Sequence, residues 1–161
     1  MRSFEIATKK VVVDGEEQIV PQFNGTKLPE YATKHSAGAD FFCAEEVTIP
    51  SHSEKPVLVH TGIKASMNED EVLLLFNRSS NPKKLGLVLA NSVGVVDADY
   101  YGNKDNDGEI MFSYYNVSDE PAVLHVGDRI GQGMFTTFLY PDNARIKDVE
   151  REGGYGHTGN R

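Results

Sequence analysis

One central stretch of this chain carries most of the side chains that could act on a small polyanion. It begins with a polar turn of Arg78, Ser79 and Ser80, and either Ser80 or Asn81 precedes Pro82 as the cap of a short helix. Free N–H groups at the start of a helix bind anions, and an arginine with two hydroxyl groups adds charge and donors beside them. The pattern predicts a phosphate-binding site.

The same stretch ends on a carboxylate. Two apolar runs, Leu87-Val88-Leu89 and residues 93–96, flank the turn Asn91-Ser92, and we expect them to form a hairpin. Backbone donors and acceptors at such a turn can read the edge of a ligand. Asp97 follows the second run, where a strand meets a loop, and Tyr100 comes shortly after it. A rigid strand followed by a loop is a common place for a catalytic group.

Three further segments have chemical potential. Residues 36–40 open a strand with the carboxylate of Asp40, and residues 127–132 form a turn with an Asp–Arg pair. Each alone is more often a plain turn than a site. The tail, residues 150–161, is rich in glycine and has no core-forming pattern, yet it carries an aromatic ring and phosphate donors. We predict a flexible lid over the site.

The composition excludes several classes of function. The net charge of −8 over 161 residues argues against general binding to nucleic acid or to an anionic membrane. The single cysteine, Cys43, lies in an apolar run and fits a buried thiol in a reducing compartment. No signal-peptide core or transmembrane run stands out, so we expect a cytoplasmic protein. The five histidines show no metal-ligand spacing, and no Ser-His-Asp order is evident.

The elements that must position these residues are almost all strands. Short runs separated by turn residues predict an all-β sandwich or barrel. The predicted strands cover residues 10–13, 40–44, 47–49, 55–63, 72–76, 109–115, 122–126 and 130–140. We expect a surface excursion at 14–27, a loop at 102–108, and one domain over residues 1–149.

Taken together, the segments resemble the five motifs of the trimeric dUTPases. The matching positions run from residue 28 to residue 159, and they agree in order, spacing and residue type. The matched segments are 28–40, 78–80, 94–102, 127–132 and 153–159. The resemblance implies a jelly-roll β fold and a homotrimer whose three active sites are built from neighbouring subunits. It also implies hydrolysis of dUTP to dUMP and pyrophosphate with Mg²⁺.

The resemblance assigns a role to each matched position near the reacting group. Asp97 would orient and deprotonate the water that attacks the α-phosphorus. Tyr100 would lie under the deoxyribose and leave no room for a 2′-hydroxyl. The uracil edge would be read by Asn91 and by the backbone of Gly94, Val95 and Val96.

The resemblance also assigns the phosphate contacts. Outside the tail, the phosphates would be bound by Arg78, Ser79, Ser80 and Gln132. Asp40 would place hydrated Mg²⁺ through water. Magnesium would be held chiefly by the triphosphate. From the tail, Tyr155 would stack on uracil, and the phosphates would be closed in by Arg151, Gly156, His157 and Thr158. Many members place the tail arginine where this chain has Glu150, one residue before Arg151.

Two other functions stay open from the sequence. A dCTP deaminase shares the fold, and residues 78–80 followed by 85–87 are similar to it, with Glu109 as the proton shuttle. A protein-binding regulator that keeps the fold is the second, because some phage relatives bind a host repressor. Its surfaces would be the inserted segments 14–27 and 104–108. Such insertions also occur in phage members, so a phage or prophage origin is one interpretation.

Overall fold

The structure is a computed structural model that describes residues 1–147, 149, 151, 153 and 154. Strands dominate it. In chain order they are β1 (Ser3–Ile6), β2 (Thr8–Val13), β3 (Glu16–Pro21), β4 (Ala39–Phe42), β5 (Val47–Ile49), β6 (Val57–Ser66), β7 (Glu71–Asn77), β8 (Leu87–Leu89), β9 (Gly94–Asp97), β10 (Ile110–Asn116), β11 (Ala122–Leu124) and β12 (Arg129–Thr137). Helix α1 (Asn81–Leu85) follows β7, and a 3-10 turn, Ala98–Tyr100, follows β9.

Two four-stranded sheets form the body of the molecule. Their strand orders are β1-β6-β10-β8 and β4-β12-β7-β9, and every pairing in them is antiparallel. Two smaller pairs, β5 with β11 and β2 with β3, complete the strands. Neighbours in the sheets are distant in the chain, as in a jelly roll. The prediction of an all-β fold with one short helix is confirmed.

The core lies between the two large sheets. Leu73 on β7, Val59 on β6 and Phe112 on β10 are each at most 1% exposed. The ring of Phe41, on β4, lies 5.6 Å from that of Phe112 and so joins one sheet to the other. Burying each such side chain contributes about 1.5–3 kcal/mol to folding. Cys43 is fully buried, as its apolar surroundings in the sequence predicted.

The predicted hairpin of residues 87–89 and 93–96 is wrong. β8 pairs with β10 in one sheet, and β9 pairs with β7 in the other. The connection between them crosses from sheet to sheet through a sharp turn in which Ser92 has φ +59°. Alternating apolar residues predict which faces are buried, and they carry no information on the partner strand. The crossing leaves Asn91 at the turn, close to the start of β9.

The segment after residue 14 also differs from expectation. Residues 16–21 form β3, which pairs along its whole length with β2 to make a hairpin. Almost every residue of β3 is exposed, so the buried alternation that reveals a strand is missing from its sequence. β1 was not predicted either, and it pairs with the end of β6. β12 ends at Thr137, earlier than predicted.

Helix α1 begins where it was predicted, with Ser80 as its N-cap and Pro82 in its first turn. The Ser80 hydroxyl makes no capping hydrogen bond in the structure, and the Ser80 carbonyl accepts the helical bond from Lys84 N–H at 2.9 Å. Within the part of the chain that the structure describes, no helix has the length and apolar character needed to cross a membrane.

Candidate active site

A cavity of about 250 Å³ lies beside β9. It is lined by seven of the residues that the sequence singled out: Asn91, Gly94, Val95, Val96, Asp97, Tyr100 and Arg151. The remaining walls come from Leu75 of β7 and from Ile110 and Met111 at the start of β10. The structure therefore brings together the residues predicted for the base, the sugar and the reacting water.

Backbone groups of β9 are available to a ligand in this cavity. β9 is the last strand of its sheet, with β7 on its inner side. An edge strand presents N–H and C=O groups that are not used by the sheet. Gly94 lies so close to β7 that a Cβ atom there would come within 2.9 Å of the Leu75 Cβ. A larger residue would push the strand away from β7 and displace this edge.

Asp97 stands at the end of β9, and its side chain is 54% exposed. The guanidinium of Arg151 lies beside it, with Nη2 donating to Asp97 Oδ2 at 2.9 Å and Nε donating to Asp99 Oδ1 at 3.0 Å. Arg151 is itself only 13% exposed. Arg151, the tail arginine that was predicted to reach the phosphates, thus contacts Asp97, the predicted general base.

Tyr100 is held in the 3-10 turn directly after Asp97, with its ring 8% exposed. Its hydroxyl donates to the Glu109 carbonyl oxygen at 2.8 Å and accepts from Asn106 Nδ2 at 2.8 Å. The centre of the Arg151 guanidinium lies 5.5 Å from the ring centroid. Two hydrogen bonds therefore fix the hydroxyl of Tyr100, and the Arg151 guanidinium lies over its ring.

The predicted phosphate residues form a second group, at the other end of β7. Arg78 follows the last residue of β7, and its Nη1 donates to the Arg129 carbonyl at 2.9 Å. Gln132 pairs with Asp40 in the sheet, and Asp40 Oδ2 lies 3.3 Å from Arg129 Nη1. Ser79 and Ser80 lie in the same turn as Arg78.

Glycine shapes this second group as well. A Cβ atom at Gly38 would lie 2.6 Å from Gln132 Oε1, so the glycine lets the Gln132 side chain pack against residues 36–40.

The turn after β7 is fixed by Asn81, which is 2% exposed and donates from Nδ2 to Asn77 Oδ1 and to the Ile130 carbonyl, each at 2.8 Å.

The two groups are separated along β7. Asp97 pairs with Val72 at the start of β7, whereas Gln132 pairs with Phe76 near its end. At about 3.4 Å per residue, the separation along the strand is about 14 Å, and Arg78 lies farther still. Asp97 and the Arg78 turn therefore lie near opposite ends of this strand.

Part of the predicted tail site can be placed. Gly153 and Gly154 are buried, and Gly154 N–H donates to Asp105 Oδ2 at 2.7 Å. The predicted residues Tyr155, Gly156, His157 and Thr158 lie outside the described residues. Their roles stay predictions.

Sequence reasoning missed the contacts made by two sets of residues that line a second cavity. One is the loop that contains Asn103, Asp105 and Asn106, which was predicted as a surface loop and, over residues 104–108, as a possible partner-binding surface. The other is the contact of His60 with Glu109, a residue that was predicted only as the proton shuttle of a deaminase: His60 Nδ1 lies 3.0 and 3.1 Å from the two carboxylate oxygens. This hydrogen bond raises the pKa of His60 above its usual value, against the opposing effect of burial. The run of asparagines and aspartates at 103–107 was the available signal.

The residues fit Mg²⁺ only as an ion that is bound mainly by the phosphates of a nucleotide. Among the described residues, no three His, Cys, Asp or Glu side chains are grouped closely enough to cage a metal ion. Asp40 is a single carboxylate, 16% exposed, beside Gln132. Mg²⁺ is commonly bound by one or two carboxylates together with phosphates and water, and this donor set suits such an arrangement.

Comparison with known proteins gives the family. The dUTPase family model matches residues 24–159. A deoxyuridine 5'-triphosphate nucleotidohydrolase of Lactococcus lactis subsp. lactis is 42% identical over 99% of this chain and 98% of its own length. The crystal structure of a dUTPase from Streptococcus mutans, 42% identical, superimposes with a TM-score of 0.72 over 87% of this chain and 98% of that one.

A more distant structure shares the fold. It is a variant dUTPase from phage phi11 of S. aureus, 19% identical, with a TM-score of 0.66 over 92% of this chain and 97% of that one, and it is described as coordinating a structural Mg(II) ion. The family model and the Lactococcus relative each match most of the sequence. This chain belongs to the dUTPase family.

Proposed function

We propose that this protein hydrolyses dUTP to dUMP and pyrophosphate, with Asp97 as the general base. The observation that carries the proposal is that the Asp97 carboxylate, the Tyr100 ring and the edge of β9 line one cavity. Asp97 orients a water molecule and accepts its proton as the oxygen attacks the α-phosphorus. The pyrophosphate group leaves as the new P–O bond forms. A carboxylate at the rigid end of a strand suits this role.

The base and sugar are recognised by the rest of the same cavity. The backbone of Gly94, Val95 and Val96, with Asn91 at the turn, donates to and accepts from the uracil edge. Tyr100 lies under the deoxyribose and excludes a 2′-hydroxyl. The support for this assignment is that β9 is an edge strand and that the Tyr100 ring is fixed by two hydrogen bonds.

The phosphates are bound by a neighbouring copy of the chain, in a homotrimer with shared active sites. Arg78, Ser79, Ser80 and Gln132 serve the phosphates of a nucleotide whose base lies against β9 of the neighbour. The separation of about 14 Å or more between the two groups along β7 supports this division, because Asp97 would act at the α-phosphate, directly beside the phosphates that the other group binds.

Mg²⁺ is carried mainly by the triphosphate, and Asp40 contacts its water shell. When bound, the ion neutralises negative charge on the phosphates and so favours attack by an anionic nucleophile. The tail, residues 150–161, forms a lid in which Arg151, Tyr155, Gly156, His157 and Thr158 cover the nucleotide. The contact of Arg151 with Asp97 supports a tail path beside the cavity.

The direct test is pyrophosphate release from dUTP, measured beside dCTP, dTTP and UTP. We expect rapid release from dUTP alone. Ammonia release from dCTP, without pyrophosphate release from dUTP, would contradict the proposal and favour a deaminase.

The deaminase is not favoured by the structure. Glu109, its proposed proton shuttle, is 3% exposed, and one of its oxygens accepts from Gly62 N–H at 3.0 Å. It lines a separate cavity of about 750 Å³, together with His60 and the loop at 103–107. The carboxylate therefore lies away from the cavity that Asp97 lines.

The second alternative, an added role as a binder of a host regulatory protein, has a direct test in nucleotide-independent capture of a host protein. The structure changes which surface would serve. The loop 104–108 is tied to the protein's own interior through Asn106 and Asp107, whereas the β2–β3 hairpin is exposed. Of the two predicted surfaces, the hairpin is therefore the more exposed.

A further inference from the structure

The loop of residues 103–108 lies behind the tyrosine of the cavity. Tyr100 lines the cavity beside β9, but its hydroxyl lies at the far end of the ring and contacts Asn106 and the Glu109 carbonyl. Asn106 and Glu109 line the second cavity, on the other side. The contacts that fix the hydroxyl are thus made from outside the space proposed for the nucleotide.

Asn106 is the centre of this arrangement. Its Nδ2 donates to Tyr100 Oη at 2.8 Å and to the Glu109 carbonyl at 3.3 Å. Its Oδ1 accepts from Asn103 Nδ2 at 2.8 Å and from Gly108 N–H at 3.2 Å. Every hydrogen-bonding atom of the amide is therefore used, and the side chain has little freedom to turn.

The loop itself is anchored at several points. Gln22 Nε2 donates to the Asn106 carbonyl at 2.8 Å. Asp107 Oδ2 accepts from Thr8 N–H at 2.8 Å, from Thr8 Oγ1 at 2.9 Å and from Lys64 Nζ at 2.8 Å. Because β2 and β6 hold these partners, the position of Asn106 is set by two strands and not by the loop alone.

We propose that Asn106 is a positioning residue that holds the Tyr100 ring at the depth where it admits a deoxyribose and rejects a ribose. The inference rests on the proposed function, since it assigns the ring to the sugar. A side chain rejects an extra hydroxyl only if it cannot retreat from it. The hydrogen bond from Asn106 acts with the bond to the Glu109 carbonyl to limit that freedom, because a retreating ring would break its bond to a donor fixed by the loop.

The test compares kcat/KM for dUTP and UTP in the wild type, Asn106→Ala, Tyr100→Phe and the double variant. We expect Asn106→Ala to lower the dUTP-to-UTP ratio of kcat/KM by about three- to tenfold, as expected for one lost hydrogen bond. Tyr100→Phe removes that bond and also the bond to the Glu109 carbonyl, so it should lower the ratio at least as much. The double variant should lose no more than Tyr100→Phe alone, because the hydrogen bond from Asn106 is already absent in that variant.

Lys104→Ala is the matched control, because Lys104 is exposed in the same loop. Its ratio should equal that of the wild type. A purely structural role for Asn106 would lower kcat/KM for both nucleotides together and leave the ratio unchanged, and that result would overturn the inference. Additive losses in the double variant would also overturn it. If Asn106→Ala does not fold, an unchanged ratio in Tyr100→Phe would overturn the inference in its place. A wild type that does not hydrolyse dUTP would instead refute the proposed function.

Discussion

Nη2 of Arg151 lies 2.9 Å from Oδ2 of Asp97, so a residue of the tail contacts the proposed general base directly. The carboxylate is half exposed, and ion pairs of this kind contribute about 0–1 kcal/mol. Because the Arg151–Asp97 ion pair contributes so little free energy, phosphate oxygens of a bound nucleotide can compete with Asp97 for the arginine. We therefore interpret the pair as a resting contact, which frees Asp97 when Arg151 moves to the phosphates.

The first prediction concerns Asp97→Asn. We expect turnover to fall by about a hundred- to ten-thousandfold, the usual effect of losing a general base, while binding of a non-hydrolysable dUTP analogue persists. Steady-state pyrophosphate release and calorimetry measure the two effects. Asp99→Asn is the matched control, because Asp99 bonds the same arginine and is 61% exposed. Comparable losses in both variants, or normal turnover in Asp97→Asn, would remove Asp97 from this role.

The second prediction concerns the division of the site between chains. Asp97→Asn and Arg78→Ala should each be nearly inactive, and a trimer assembled from an equal mixture of the two should regain activity. In random assembly, a site that draws one group from each of two neighbouring chains is intact in about a quarter of cases. Refolding the variants together and measuring pyrophosphate release tests this.

Separately refolded variants, combined without subunit exchange, are the control for that mixture. If one chain supplied both groups, the mixed trimers would stay as inactive as the separate variants. Mixed trimers that have the size of the wild-type trimer but no recovered activity would therefore contradict a shared site.

The sequence predicted the local parts of the site and missed the contacts between distant parts. Residues 91–100 are nearly contiguous in the chain, so their grouping around one cavity follows from local geometry. The partner strands of β8 and β9 could not be predicted, because alternation specifies a buried face and not a neighbour. The contacts of Asn106 with Tyr100 and of Arg151 with Asp97 depend on where a loop and a tail return to the sheet. No local pattern encodes such a return.

The third prediction concerns selectivity for the nucleobase of the substrate. If the edge of β9 reads uracil through backbone hydrogen bonds, dCTP should be rejected by about 10⁴-fold or more, since its donor and acceptor pattern leaves polar groups unpaired. Rejection of dTTP needs a rigid wall, because one methyl group in a loose apolar slot yields only about 10- to 200-fold. Values of kcat/KM for the three nucleotides provide the measurement. Similar hydrolysis of dTTP and dUTP would show that the strand is not rigid.

The fourth prediction concerns pH and the pair of His60 with Glu109. Their hydrogen bond raises the pKa of His60 above its usual value of 6.5. Stabilisation by the charged pair is therefore fully present below about pH 6.5, and it declines as the pH rises through the folded-state pKa. Wild type should lose more thermal stability than His60→Gln between about pH 6 and about pH 9.

His52→Gln is the matched control for that experiment. His52 Nε2 lies 2.8 Å from Asp119 Oδ1, but the two side chains are 65% and 93% exposed, so little stability depends on them. Melting temperatures that fall in parallel for wild type and His60→Gln would mean that the pair does not contribute.

The last prediction concerns the tail as a lid. The stretch after residue 149 lacks the apolar pattern needed to offset its own ordering entropy, so contacts with the nucleotide should supply the compensation. Asp105 gives the tail one fixed point, through its bond with Gly154 N–H. Truncation after Val149 should leave the β domain folded and lower turnover, because water would reach the phosphates. Circular dichroism and pyrophosphate release separate the two effects.

Substitution of Tyr155 refines that prediction. Tyr155→Ala should lose about 1–3 kcal/mol of nucleotide binding, the amount that stacking of a base on an aromatic ring contributes, and Tyr155→Phe, the matched control, should be nearly silent. A non-hydrolysable dUTP analogue should protect the tail of the wild type from protease, and protection should be weaker in Tyr155→Ala. Asp105→Ala should weaken it too, since the fixed point at Gly154 is lost. Equal cleavage with and without the analogue, or full activity after truncation, would show that the tail does not act as a lid.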